Sequence, residues 1–511
     1  MDPYDVVVIG SGMGGLACAA ALSKIKHRVL VLEQDTTAGG LTKMFSRNGW
    51  SWDVGMHYLG DLGEDGMARR LYAWLTDGEI TVSSLGSVYD TLHFPDDFRI
   101  TLSRPEAALK RDLKEHFPRS DQEIDVFFDA MRDAQHAGHA VFALRGIPEP
   151  LASMSRFFHH RAIKRWCERT TQQVLDEFIS DPKLKAVLSA QWGDYGSPPA
   201  QSSFGIHATV IREYFDGAYY PDGGGKVFAE KFGATIAAAG GRIQTSSRVM
   251  DLLFDGDAVV GVTLEDGAQF RASRVVSNIG ARNSVLKLLP ATMCDSPWAR
   301  EVLSIPPAPG FLSLFVGFEG DIAANGATLS NHWIYESWDV HERPLFDPER
   351  EEINRFMISF PSLKDKRHDP GTALKHTGDI LTLVDWQLFA PWAEDESPRA
   401  HDEYQRAKKV LERRMLSALG RHFPALLPLI KYTELATPLT SAKFTGAYHG
   451  AIYGLETSPR RFLSPALNAK TPIPGFYLSG QDVGTPGVHG AMWGGLMTAG
   501  AIDPRVFQHL L

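Results

Sequence analysis

Read for its apolar positions alone, the chain opens with a β-branched run at residues 4–9, a stretch of helical composition at 14–24 and a second apolar run at 28–33. Runs of that length and order predict a β-α-β unit. From 106 to about 180 the apolar residues recur at helical spacing, in LKRDLKEHF, DVFFDAMRDAQHAGHAVFALR and IKRWCERTTQQVLDEFI, which predicts a helical block. Glycine and proline then gather in QWGDYGSPPAQSSFG, a loop signal. Residues 224–240 read as a helix after a PDGGG turn that follows no clear strand. Residues 243–278 read as short strands separated by DGD at 255–257 and EDG at 265–267. FLSLFVGFEG, HWIYESW, RFMISFPSL and ILTLVDWQLF supply further strands, 402–419 a charged helix, and FYLSGQDVGTPGVHGAMWGGLMTAG a strand, a glycine-rich turn and a small-residue helix.

This order predicts an α/β protein with a Rossmann-like nucleotide domain made of separated pieces and a mixed sheet-and-helix domain between them. The expected boundaries are 1–75, 217–305 and 435–511 for the first, and 76–216 and 306–434 for the second. A length of 511 residues with 44% hydrophobic content suits two cores better than one. Lys and Arg number 52 against 61 Asp and Glu, a net charge of -9, so the overall field repels nucleic acid, and no nucleic-acid motif is present. Cys18, Cys167 and Cys294 are scattered without a CxxC pair, which suggests neither a disulfide framework nor a thiolate metal site and points to a reducing compartment. The opening MDPYDVVVIG reads as a strand rather than a leader, and no apolar run approaches the roughly 20 residues of a membrane span. The expected location is the cytoplasm, at the inner face of a membrane if the substrate is a lipid.

Gly10, Gly12 and Gly15 complete a GxGxxG between the first predicted strand and helix, and Gly14 adds backbone freedom. The free N–H groups of that helix start suit a pyrophosphate, and Glu33 closes the second strand where a carboxylate accepts ribose hydroxyls. This fingerprint does not choose NAD over FAD. Gly39 and Gly40 let the next loop pass close to the diphosphate. In FSRNGWSWDVGMHYLG, Asp53, Gly55 and His57 alternate at strand spacing and can face a bound ring, while Asn48-Gly49 equally suits the turn of a surface hairpin. Gly480, Gln481 and Asp482 follow an apolar strand, and Pro486-Gly487 precede a helix beginning near Val488. Asp482 can accept a ribityl hydroxyl. Aimed at flavin N1 and C2=O, the start of that helix would stabilise the negative charge that appears when N5 takes a hydride.

The segments GSGMGGLACAAAL, VLVLEQDTTAGG, FSRNGWSWDVGMHYLG, YYPDGGGKVFAEKF, ASRVVSNIG, ATPLTSAKFTGAYHGAIYG and FYLSGQDVGTPGVHGAMWGG resemble, in that order and over nearly the whole chain, the FAD-dependent phytoene desaturase, carotenoid isomerase and retinol saturase family. GMHYLG is most similar to the retinol saturase branch, although Leu41 and Thr42 stand where the animal members carry paired cysteines. The resemblance implies a fold of the glutathione-reductase or amine-oxidase kind. It carries FAD contact onto Gly10, Gly12, Gly15, Glu33, Gly39, Gly40, Gly480, Asp482 and Val488. It also implies an isoprenoid or polyene substrate that is desaturated, saturated or isomerised.

Hydride exchange at N5 requires an apolar tunnel, for which Phe204, Phe215, Tyr219, Tyr220, Trp333, Trp338, Trp386 and Phe389 are candidates, and an acid or base for the balancing proton. His57 is the first candidate for that role, followed by His489 and Tyr448. No HExxH or compact ligand cluster suggests a metal, and Ser11, Ser203 and Ser479 lack a GxSxG setting. With one dinucleotide fingerprint, electrons are expected from or to a quinone, oxygen or a separate reductant rather than bound NADPH. An apolar patch at 141–158, including Phe142, Leu144, Ile147, Leu151, Phe157 and Phe158 and followed by HHRAIKR, suits peripheral membrane contact. The alternatives are a flavin oxidase or dehydrogenase for amines or other hydrophobic molecules, and a non-enzymatic isoprenoid escort protein.

Overall fold

The computed structural model describes residues 4–147, 149–340, 346, 352–393 and 402–510. Strands Val6–Ile9 and Val29–Leu32 have no polar position and are buried along their whole length, as strands covered on both faces must be. They pair in parallel at the centre of a five-stranded sheet ordered Phe476–Leu478, Val275–Ser277, Val6–Ile9, Val29–Leu32, Arg242–Gln244. The helix Met13–Lys24 crosses this sheet, and its small residues allow the last long helix, Gly487–Ile502, to pack directly on it. At that crossing a Cβ on Gly14 would collide with the Gly480 backbone, and one on Gly15 with the Gly10 carbonyl. These two glycines hold the phosphate side of the sheet together by close approach.

The second sheet has seven strands, ordered Ile430–Ala436, Gly310–Glu319, Lys375–Val384, Arg355–Ser359, Asn331–Tyr335, Val88–His93, Arg99–Ser103. It is antiparallel except where Asn331–Tyr335 meets Val88–His93, so it is mixed. Its strands alternate. Leu312, Leu314, Val316 and Phe318 enter one hydrophobic core with Ile334, Ile358 and Ile380, while Phe311, Ser313 and Phe315 face the other way. The helical block is present as Glu106–His116, Asp121–Leu144, Glu149–Ala162 and Thr171–Phe178.

Two local expectations are corrected. Met44–Arg47 and Trp50–Asp53 do form a hairpin, turning through Asn48 and Gly49 at φ 50° and 84°. The strand ends at Asp53, however, so Gly55 and His57 lie beyond it and the alternation does not reach them. The hairpin is instead pinned to the large sheet by Trp50 and Trp52, whose indole N–H groups donate to the Phe318 and Val316 carbonyls. The PDGGG turn does follow a strand, the short Tyr219–Pro221, which pairs with Val82–Ser84.

The apolar patch is also narrower than its sequence suggested. Leu144 is buried and Phe142 packs on Phe462, because both lie on the helix Asp121–Leu144 that covers the core. The Leu151 side chain lies outside the described residues. Met154, Phe157 and Phe158 are exposed at 56%, 79% and 74%. No described helix is long and apolar enough to cross a membrane.

Candidate active site

A groove runs along the ends of the parallel strands. Gly10, Gly12, Gly14, Glu33, Gly40, Asn278, Tyr448, Asp482 and Val488 all line it. Ligand crevices in such sheets lie at this edge, outside the carboxyl ends of the strands. Ser11, the unspecified position inside GxGxxG, was passed over as a site residue, yet it organises one end. Its backbone N–H (2.9 Å) and hydroxyl (2.6 Å) both donate to Glu33 Oε2, and Asp35 N–H donates to Oε1. Gly39 N–H donates to the Ser11 hydroxyl in turn, which ties the Gly39-Gly40 loop to the phosphate turn. Gly15, Gly39 and Gly480 shape the groove from behind rather than line it.

At the other end the helix Gly487–Ile502 begins at Pro486 with no side-chain cap, and Gly487 and Val488 stand in the groove wall. Its first N–H groups and positive dipole end are therefore available to an anion or an electron-rich ring. Asp482 accepts from the Ala281 N–H (2.8 Å) and the Leu455 N–H (3.2 Å), so its carboxylate joins three segments as well as lining the groove. Two buried arginines brace the same corner. Arg145 donates to the carbonyls of Asp482, Val483, Arg461 and Phe462, and Arg461 to those of Tyr453, Leu455 and Gln481. Neither arginine stands in a recognisable motif. The targets of Arg145 are backbone groups 316 to 338 residues away in sequence, those of Arg461 backbone groups 6 to 20 residues away.

These residues fit an extended dinucleotide. A ribose acceptor stands at one end and an uncapped helix start at the other. Between them a Cβ on Gly40 would come within 2.9 Å of Gly12 Cα, so the cradle exists only because side chains are absent there.

The groove meets a second cavity, an apolar chamber, along a shared wall of Leu41, Lys43, Gly55, Phe444, Thr445, Ile452 and Tyr453. The chamber lies against the free face of the seven-stranded sheet, where Phe311, Phe315, Trp333, Met357, Leu381 and Leu383 project. Of the eight aromatic residues expected there, Trp333 alone is in the wall. Phe204, Phe215, Tyr219 and Tyr220 belong to the main core and Phe389 to the second core, Trp338 stacks on Phe94, and Trp386 stacks on His449. The period-two pattern of Gly310–Glu319 is the signal that could have found Phe311 and Phe315.

The three acid–base candidates are not brought together. His57 lines the chamber, its Nδ1 3.4 Å from Asp379 Oδ2. Asp379 is fully buried on Lys375–Val384 and faces His57, and burial raises its carboxyl above the ordinary range. Tyr448 lines the groove with the Arg282 guanidinium 5.0 Å over its ring. His489 lines neither cavity. Its Nδ1 is 3.2 Å from Glu213 Oε2 and its ring packs on Tyr72, on the side of the helix away from the groove.

Among known proteins, the family described as flavin containing amine oxidoreductase matches residues 13–503. All-trans-retinol 13,14-reductase of Rattus norvegicus is 31% identical over 527 residues, covering 99% of this chain and 86% of that protein. The chloroplastic prolycopene isomerase of Arabidopsis thaliana is 24% identical, covering 94% and 79%. An oxidoreductase from Methanosarcina mazei has a solved structure that matches with a TM-score of 0.66 at 17% identity, over 96% of this chain and 98% of that one, a likeness of fold.

Proposed function

The chain belongs to the flavin-containing amine oxidoreductase family and is an FAD-dependent oxidoreductase, and from that premise we propose that it acts on carbon-carbon bonds of a hydrophobic isoprenoid or polyene. The observation that carries this reading is the join between groove and chamber, where the nucleotide-binding wall gives way to an apolar one at Gly55, Ile452 and Tyr453. The retinol reductase and prolycopene isomerase relatives, each matched over most of its length, support the same substrate class.

The cofactor-holding segments are 1–75, 217–305 and 435–511, and the substrate-holding segments 76–216 and 306–434. Gly10, Gly12, Gly14 and Gly40 receive the diphosphate, Glu33 the ribose, and the start of Gly487–Ile502 the ring end. When bound, FAD supplies hydride exchange at N5. The protein's part is to keep a substrate carbon close to that atom, to exclude water with Phe311, Phe315 and Trp333, and to exchange the balancing proton from the chamber wall. With one dinucleotide fingerprint in the sequence, the electrons pass to or from a quinone, oxygen or a separate reductant.

Anaerobic single turnovers of reduced and oxidised enzyme with retinoid and carotenoid candidates test this. A product heavier or lighter by two mass units, with a matching change in flavin colour, is expected for saturation or desaturation; an isomer of unchanged mass marks isomerisation. Flavin bleached by amines and untouched by every polyene would overturn the reading. We also propose that Met154, Phe157 and Phe158, beside His159, His160 and Arg161, rest on a membrane surface. Failure to float with anionic liposomes at any salt concentration would remove that contact.

A further inference from the structure

Behind the chamber wall lies a buried polar cluster that the sequence did not single out. Asp194 closes the short helical segment Ala190–Asp194, is a wall residue of the chamber and keeps accessible surface, whereas Asp90 behind it is sealed. Tyr58 Oη stands 2.8 Å from Asp194 Oδ2 and 3.0 Å from Asp90 Oδ2. A phenol has one hydrogen to donate, so it cannot bond to two ionised carboxylates at once. A proton on one of the two aspartates gives each contact a hydrogen of its own.

The surroundings decide which. Asp90 also receives the Gln191 Nε2–H (2.7 Å) on Oδ2 and the Asn331 Nδ2–H (3.1 Å) on Oδ1, and Lys364 donates to the far side of that same Asn331 amide. Donors aimed at a carboxylate favour its charged form. Among the described residues, Asp194 has only Tyr58. The proton therefore belongs on Asp194, which donates to Tyr58 Oη while Tyr58 donates to Asp90. Burial pushes both carboxyls upward, Asp90 to about 7 and Asp194 well above the usual carboxylate range, in the same order. Among the described residues, His57, the chain neighbour of Tyr58, has no such hydrogen-bonded chain behind its ring. Its ring faces Asp379, and its backbone carbonyl is held by Lys364.

We propose that Asp194, as a carboxylic acid, is the group that exchanges the proton with the substrate carbon, and that Tyr58 and Asp90 keep it charged with that proton between turnovers. This rests on the polyene reading above. In the reducing direction one alkene carbon would take a hydride from bound reduced FAD, and the displaced π pair would take the Asp194 proton at the neighbouring carbon as the acid gives up its hydrogen bond to Tyr58. The alkene gains the two electrons that bound reduced FAD would supply, and Asp194, which keeps accessible surface in the chamber wall, is left as a carboxylate to be reprotonated by water that enters as the product leaves. Desaturation runs the same transfers backwards.

The FAD-loaded wild type, Asp194→Asn and the acid-retaining Asp194→Glu are compared in two ways. Infrared difference spectra at neutral pH should show a protonated carboxyl C=O band that Asp194→Asn loses and Asp194→Glu keeps. Single turnovers of reduced enzyme with all-trans-retinol should slow by about 100-fold or more in Asp194→Asn with yellow FAD retained, and recover in part in Asp194→Glu. If Asp194→Asn loses FAD, Asp194→Ser takes its place. An unchanged carboxyl band, or turnover within about threefold of wild type, overturns the assignment. A wild type that leaves every polyene unchanged overturns the substrate reading and with it the transfer to carbon. The carboxyl band still reports separately whether Asp194 holds the proton.

Discussion

The groove takes much of its wall from glycines and helix or turn ends in three stretches of chain far apart in sequence, whereas the chamber takes its walls from side chains on five strands of the large sheet drawn from residues 310–436. The groove must fit one constant molecule, so the positions that form it are those where a side chain is forbidden. The chamber is defined by volume and polarity, which many combinations of side chains can supply. Substitution should therefore act in opposite ways in the two places. In the groove it should abolish cofactor binding, and in the chamber it should alter substrate handling while the protein stays yellow.

The largest effect expected is for Gly15→Val. The new side chain runs into the Gly10 carbonyl, and the purified protein should lose FAD affinity by about 100-fold, or ~3 kcal/mol, read as flavin stoichiometry. Full yellow occupancy would break the comparison at its root. Phe315→Ala comes next. Phe315 is buried against Phe45 and Trp52, so the variant should lose about 3 kcal/mol in denaturant unfolding yet bind FAD with unchanged stoichiometry and shift its preference among substrates of different length.

Acid sharpens the contrast further, because the large sheet carries a buried histidine pair. His93 Nε2 and His332 Nδ1 lie 3.1 Å apart, and burial lowers their pKa values to about 4 and about 3. The unfolded chain binds these protons near pH 6.5 and the folded one does not. Stability should therefore be intact above that value and fall as pH drops toward 4, by up to about 3 kcal/mol per pH unit for the pair. Replacing both histidines by asparagine should flatten the slope of unfolding free energy in that window; an unchanged slope would place the acid sensitivity elsewhere. The smallest effect is expected for His57→Phe, which should retain FAD and slow single turnover by no more than about tenfold, ~1.4 kcal/mol. A loss larger than that of Asp194→Asn would return the proton to His57.

The two regions also differ in how far the sequence disclosed them. The phosphate turn, Glu33, the Gly39-Gly40 loop and the start of the last long helix were readable because each is a local pattern: a strand, a turn and a helix end in succession. Seven of the eight aromatics proposed for the tunnel were misplaced, since aromatic character alone does not say which core a ring enters. Phe311 and Phe315 were missed although the alternation of their strand was visible, because nothing in one strand tells which face meets a cavity. Asp194, Tyr58 and Asp90 carried no signal at all. They come from three unconnected segments, and their chemistry exists only in their mutual distances.

By itself the sequence determined that a β-α-β unit would form, that its glycines would leave room for a dinucleotide, and that the chain would return at its end to complete the same sheet. Those features depend on steric rules among neighbours, which short stretches of chain already express. Tertiary structure alone decided where the apolar chamber opens, which histidine reaches it, and which of the buried carboxyls must share a single phenolic hydrogen. Those depend on burial and on distances between groups 32 to 136 residues apart, which no local pattern encodes.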